Sequence, residues 1–231
     1  MTKALILIPA LNAERTVGAI ARECKAAYDE VLVINDGSSD RTAEVAREAG
    51  AQVINHPVNR GKGGALKTGF AFALEHGFDA VITIDADGQH LPREIPKFLA
   101  AYEECGADLI IGGRAHLFDQ MLPRRRMANR FSARCIAFAS RTGVTDSQSG
   151  FRLYSAKLLR GVRLRTDGFD LESEVIVHAG WLKFKVITIP IDLGFVDGLS
   201  TSHYKPVLDT LRIAWTVIRA RYFWRLRSRG A

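Results

Sequence analysis

Apolar residues in the first half of the chain come in short, nearly unbroken runs, each followed by a longer stretch with helical spacing. Residues 3–9, 30–35, 80–85 and 109–111 are such runs, and residues 52–55 read as a further short strand. Between them, residues 14–27, 40–49, 64–76 and 92–104 carry apolar positions three or four apart, which predicts helices. The punctuation agrees. Ser39 or Asp40 caps the second helix and Gly50 stops it, Gly77 ends the third, Pro92 opens the fourth and Gly106 follows it. Strands apolar on both sides, joined by helices, predict an α/β fold with a mostly parallel central sheet and helices on both faces. The second half is less regular. Residues 125–142 and 172–179 read as helices, 185–190 as a strand and 207–227 as the longest helix. No repeat, low-complexity tract or linker interrupts the chain, so the reading is one domain, 1–205, with a C-terminal helical extension, 206–231.

Composition narrows the class. A chain of 231 residues can bury roughly 70% of its surface, enough to do without disulfides. Cys24, Cys105 and Cys135 are odd in number and far apart, and no C-x-x-C pattern suggests zinc. No segment reaches the ~18 apolar residues that span a bilayer. The apolar start, residues 4–11, is short for a signal peptide and has only Lys3 before it. The expectation is a cytoplasmic protein. Charge is unevenly placed. The net charge is +7, but the last twenty residues hold six arginines and no acid, which leaves +1 for the other 211. A basic tail suits an anionic surface.

In doubly wound sheets, ligands bind beyond the carboxyl ends of the strands. Three polar clusters fall there: Pro9 to Glu14 after the first strand, Asn35 to Asp40 after the second, and Asp85 to His90 after the fourth. On an extended chain, Asp85, Asp87 and Gln89 point the same way and offer three oxygen ligands. Adjacent carboxylates repel unless a cation lies between them, and oxygen donors favour Mg²⁺ or Mn²⁺. The competing reading is a polar turn that caps the helix near Pro92. Asp36 can accept a hydrogen bond from a nucleoside, or serve only as the first residue of a Gly-Ser turn. The run from Asn59 to Gly64 lacks the Ser or Thr of a P-loop after Lys62. Lys62 at a helix start can still meet a phosphate, and a flexible turn is the alternative.

Together these segments resemble family-2 glycosyltransferases with the Rossmann-like GT-A fold, in the branch of dolichyl- and polyprenyl-phosphate sugar synthases. The matching stretches run in order along almost the whole chain: IPALNAE, VINDGSSDRT, NRGKGGALKTG, TIDADGQH, IGGR, DSQSGFR, FDLESE and VITIPI. The resemblance implies a nucleoside-diphosphate sugar as donor, a divalent metal, and inversion at the anomeric carbon. It implies that Pro9, Asn12 and Asp36 lie against the nucleoside and that Asp85, Asp87 and Gln89 hold the metal. Arg114 would approach the transferred sugar or a phosphate, and Asp146, Gln148 and Arg152 would shape the sugar pocket. Ser202, His203 and Lys205 stand where the family has a late phosphate-contacting loop. Leu11 stands where the family has an aromatic residue and Ala13 where it has an acid, with Glu14 as the substitute.

Two features bear on the acceptor. A hydroxyl acceptor needs a general base, and the Glu-Asp pair that many such relatives carry occurs nowhere in the chain. A phosphate acceptor is already an anion and needs cations to place it, which Arg124, Arg126 and Arg130 can supply. Asp146, Asp170 and Glu172 remain possible bases. In residues 207–227, Leu208, Leu211, Trp215, Ile218, Tyr222 and Leu226 make one helical stripe and Ile213, Val217 and Trp224 a second. One face can dock on the core and the other lie on a membrane, or the helix can pack into a homodimer. The expectation is a polyprenyl phosphate acceptor with peripheral membrane contact. A soluble glycan, protein or small-molecule hydroxyl is the alternative. A catalytically silent nucleotide- or membrane-surface-binding protein is a third reading, which the complete Asp85, Asp87 and Gln89 set opposes. No nucleic-acid motif is present, so no nucleic acid partner is expected.

Overall fold

The computed structural model describes residues 2–114 and 123–194, the side chains of 123–131 excepted. The expected alternation is there. β1 (Ala4–Ala10), α1 (Val17–Ala27), β2 (Val31–Asn35), α2 (Thr42–Glu48), β3 (Gln52–Asn55), α3 (Gly61–Glu75) and β4 (Ala80–Thr83) follow one another. A 3-10 turn over Pro92–Glu94 leads into α4 (Ile95–Cys105) and then β5 (Leu109–Gly113). After these come α5 (Pro123–Ser140), β6 (Arg152–Ser155), α6 (Ala156–Gly161), α7 (Leu171–Trp181) and β7 (Val186–Pro190).

The seven strands form one sheet in the order β3-β2-β1-β4-β6-β5-β7. All neighbours are parallel except β6, which runs antiparallel to both β4 and β5. Alternation within each strand feeds two cores. Ala4, Ile6 and Ile8 of β1 with Val31 and Val33 of β2 pack under α1, α2 and α4. Leu5, Leu7, Leu32 and Ile34 pack on the other face with Leu66 and Phe70 of α3 and Val175 and Ile176 of α7. Both faces are dry, which is why the strands read as continuous apolar runs. Each of the valine, leucine, isoleucine and phenylalanine side chains contributes roughly 1.5–3 kcal/mol on burial.

β6 and α6 do not show in the hydrophobic pattern. The strand is only Arg-Leu-Tyr-Ser, and an arginine at its start reads as surface. Yet Arg152 is 0% exposed. Its guanidinium donates to the carbonyl oxygens of Ser149 (2.7 Å), Glu172 (2.7 Å) and Ser147 (2.8 Å), so each nitrogen of the buried charge has a partner. α1 starts later than expected because residues 13–16 form a turn, with the amides of Thr16 and Val17 both donating to Ala13 O. α3 starts earlier, at Gly61. The extension 206–231 lies outside the described residues. Among the described residues no helix is long and apolar enough to cross a membrane.

Candidate active site

The strand order reverses at β1, whose neighbours β2 and β4 leave by connections on opposite sides. A crevice opens at such a point, beyond the carboxyl ends of the strands. Here it is a cleft of about 600 Å³, lined by Pro9, Asn12 and Glu14 after β1, Asp36 and Asp40 after β2, Lys62 of α3, and Asp85 and Asp87 after β4. Gly168 and Phe169, just before α7, line it too.

The loops around the cleft are stitched to one another. Asn12, at φ 50°, accepts from the Ser39 amide at 2.9 Å, while its own amide donates to Ser38 Oγ at 2.9 Å. An asparagine tolerates that left-handed conformation better than most residues. Glu14 accepts the Arg41 amide at 3.0 Å, and its amide donates to Asp40 at 3.1 Å. Thr16 donates to the carbonyl of Ala86 at 2.6 Å, tying the first loop to the Asp85–Asp87 turn. Glu14 and Asn12 thus brace the rim of the cleft as well as line it.

The Asp85 to Gln89 run is not extended. β4 ends at Thr83, Ala86 and Asp87 form a turn, and Gly88 has φ 77°. The alternation expected for residues 85, 87 and 89 therefore fails. Asp85 and Asp87 still line one cleft because the turn brings them there, whereas Gln89 is not among the lining residues. The Gln89 amide instead donates to Asp87 Oδ1 at 2.9 Å. Burial pushes the Asp87 carboxyl up, and the neighbouring Asp85 charge pushes it further. Burial also raises Asp85, but Lys62, His90 and Arg114 together outweigh it and hold Asp85 below the usual range.

Lys62 Nζ sits 2.7 Å from Asp85 Oδ1 and 3.2 Å from Glu172 Oε2. Burial alone would lower its pKa, but the two carboxylates raise it above the ordinary value. The glycines around Lys62 have a packing role that neither sequence reading anticipated. The Gly64 amide donates to Asp167 O at 3.1 Å, and a Cβ on Gly63 would meet Asp167 C at 2.6 Å. The run is not a loose turn: its glycines give a bare surface on which residues 167–168 rest, while Gly61 and Lys62 line the cleft.

Arg114 and Asp146 form a two-point ion pair, Nε to Oδ2 at 2.7 Å and Nη2 to Oδ1 at 3.2 Å. Asp146 also accepts the amides of Arg114 (3.1 Å) and Gln148 (3.0 Å), so both of its oxygens are occupied. That is the arrangement of a residue that orients Arg114, and no lone pair is left to take an acceptor's proton. Arg152 does not reach the pocket either; it supports the 147–149 loop from behind. Arg124, Arg126 and Arg130 fall in α5, but their side chains lie outside the described residues, as do Ser202, His203 and Lys205.

Gly150 has no functional signal in the sequence except its place in DSQSGFR. A Cβ there would meet Asp85 Cγ at 2.7 Å. Gly150→Ala should therefore push the Asp85 carboxylate off its seat and lower kcat/KM at least about tenfold, with a smaller loss of stability, ~1–2 kcal/mol. Steady-state kinetics beside thermal melts checks this, and unchanged kinetics would show that Asp85 has freedom to move.

The residues that converge on the cleft can be compared with known proteins. The model of the family described as glycosyl transferase family 2 matches residues 5–163. The chain belongs to that family. An uncharacterized protein of Methanocaldococcus jannaschii is 32% identical over 94% of this chain and 92% of its own length. The UDP-N-acetylglucosamine–dolichyl-phosphate N-acetylglucosaminyltransferase of Methanococcus voltae is 28% identical over 80% of this chain and 83% of its own. Among solved structures, glucosyl-3-phosphoglycerate synthase of Mycobacterium tuberculosis, in complex with Mn²⁺, UDP-glucose and phosphoglyceric acid, superposes with a TM-score of 0.74. That likeness covers 95% of this chain and 80% of the other at 20% identity, and it bears on the fold. The glycosyltransferase is thus an enzyme of sugar transfer on a GT-A scaffold, resembling polyprenyl-phosphate sugar synthases.

The donor set suits a hard cation. Asp85 and Asp87 crowd their charges at the cleft wall, and the upward push on Asp87 is the strain that a cation relieves. Among the described residues no three or more His, Cys, Asp or Glu side chains make a complete cage. A partial carboxylate set is what Mg²⁺ uses when substrate phosphates complete its shell.

Proposed function

We propose that this glycosyltransferase moves a sugar from a nucleoside-diphosphate sugar to a polyprenyl phosphate, with inversion, at the cytoplasmic face of a membrane. The observation that carries the proposal is the single cleft shared by Asp36, Lys62, Asp85 and Asp87. The named relative that acts on dolichyl phosphate supports the acceptor. Asp36, with Pro9 and Asn12, receives the nucleoside. Asp85 and Asp87 would hold Mg²⁺ or Mn²⁺, which would supply charge stabilisation to the departing nucleoside diphosphate.

The protein's own groups do the rest. Lys62 offsets part of the charge of Asp85 and Glu172 and leaves this wall of the cleft net negative, as a site for a divalent cation requires. Arg114, held in plane by Asp146, directs its guanidinium at the reacting sugar or its phosphate. Fixed donors of this kind stabilise developing charge without reorganising, each worth several kcal/mol. Gln148 and the braced 147–149 loop shape the sugar pocket. Arg124, Arg126 and Arg130, with His203 and Lys205, place the acceptor and donor phosphates. The phosphate acceptor attacks as an anion, which is consistent with an Asp146 that has no free lone pair. The 206–231 segment lies on the membrane surface through its arginines and one apolar stripe, and a homodimer through that helix is the competing arrangement.

The test combines transfer and sedimentation. The full chain with UDP- or GDP-sugars and Mn²⁺ should glycosylate polyprenyl phosphate and sediment with anionic liposomes at low salt, releasing at high salt. Replacing Arg219, Arg221, Arg225 and Arg227 by Gln should abolish sedimentation with donor binding unchanged. Transfer to a soluble acceptor alone, or indifference to liposomes at low salt, overturns the lipid-phosphate reading.

A further inference from the structure

Behind the cleft wall lies a chain of buried polar contacts with no counterpart in the expected site. Asp36 is 3% exposed and His56 6%. Asp36 Oδ1 accepts the Arg60 amide at 2.9 Å and stands 2.6 Å from His56 Nδ1. A carboxylate oxygen at that distance faces an N–H, so Nδ1 carries the hydrogen. The other ring nitrogen, Nε2, lies 2.9 Å from Thr68 Oγ1, which in turn donates to Gly64 O at 3.2 Å. His56 is itself fixed, because its amide donates to Asn35 O at 2.9 Å.

We infer that His56 is a positioning residue for nucleotide recognition: it holds the Asp36 carboxylate in the orientation that meets the nucleoside and locks it to α3. The inference rests on Asp36 as the nucleoside contact. Two donors, from His56 and Arg60, converge on one oxygen and leave the carboxylate a single orientation at the cleft. The same α3 carries Lys62 to Asp85. The nucleoside and diphosphate ends of the cleft are therefore built on the first two turns of one helix, with His56 joining the end of β3 to it.

The two amide variants separate this role from mere packing. The amide nitrogen of Asn falls where Nδ1 lies, so His56→Asn keeps the donor to Asp36. The amide of Gln reaches the place of Nε2, so His56→Gln keeps the Thr68 side and loses Asp36. Calorimetry of the full chain with UDP and with GDP, each with Mg²⁺, should show nucleotide affinity falling about tenfold or more for Asp36→Ala and His56→Gln. His56→Asn should stay within about threefold of the wild type. Equal affinities for the Asn and Gln variants overturn the inference while leaving Asp36 in place. An unchanged affinity for Asp36→Ala overturns the Asp36 reading and the inference with it. A measurement on the unmodified protein covers variants that fail to fold. A His56 ring N–H resonance should appear in the NMR spectrum and shift on adding UDP with Mg²⁺, but not on adding pyrophosphate with Mg²⁺. If that resonance is absent, or shifts equally with pyrophosphate, His56 does not report on the nucleoside and the inference fails.

Discussion

Asp87→Ala should abolish sugar transfer and leave the fold intact. Asp87 pairs with Asp85 at the cleft wall, and its carboxyl is pushed up by burial and by the Asp85 charge. Removing it relieves that repulsion, which offsets the loss of the 2.9 Å bond from the Gln89 amide, itself worth about 1 kcal/mol. The melting temperature should stay close to that of the wild type. Turnover should fall at least about a thousandfold, ~4 kcal/mol of transition-state stabilisation, because a lone carboxylate holds a hard cation poorly. Mn²⁺ binding followed by electron paramagnetic resonance, in the presence of UDP, should weaken in parallel. Near-wild-type turnover would remove Asp87 from the metal site.

Asp146→Ala should have the largest effect on stability, about 3–5 kcal/mol by denaturant unfolding. Arg114 is 9% exposed and Asp146 1%, so the variant strands a buried guanidinium. The double variant Arg114→Met with Asp146→Leu removes both charges and should recover most of that loss while remaining inactive. If Asp146 were a base and no more, the single variant would be inactive but stable. The pair also sets an acid limit. Burial raises the Asp146 carboxyl, but Arg114 and the backbone donors outweigh it, so its folded pKa lies below the unfolded value of about 3.9. A depressed carboxylate stabilises the fold above the unfolded pKa, and that contribution is lost as pH falls through the folded one. Unfolding free energy should therefore drop on acidification below about pH 4, and the double variant should drop less. Equal acid sensitivity of the two proteins would show that other carboxylates set the limit.

Much of the scaffold was legible because it depends on local regularities. β1 and β2 need only short apolar runs, and α4 ends where Gly106 takes the left-handed φ of 59° that its place after the helix suggested. β6 escaped because its burial is a tertiary event. Arg152 lies in the middle of the sheet because the carbonyls of Ser147 and Ser149, in the loop before it, and of Glu172, twenty residues on, converge on its guanidinium. No window of neighbouring residues contains that information.

The site divides the same way. The order of motifs along the chain is enough to identify the family and to mark Asp36, Asp85, Asp87 and Arg114 as residues of interest, because chemistry demands particular side chains at strand ends. Their working relations are decided by contacts between segments far apart in sequence. Lys62 meets Glu172 across 110 positions, His56 meets Asp36 across 20, and Arg114 meets Asp146 across 32. The glycines of the Lys62 run also pack against residues 167–168, a contact that no local pattern announces. The extended-chain argument for Asp85, Asp87 and Gln89 fails at Gly88, whose left-handed turn redirects the chain. By itself the sequence determined most of the elements and marked the candidate side chains for the chemistry, since both follow from residue type and local spacing. Only the tertiary structure decided what each of those side chains faces, because hydrogen bonds and ion pairs depend on distances in space that chain separation does not encode.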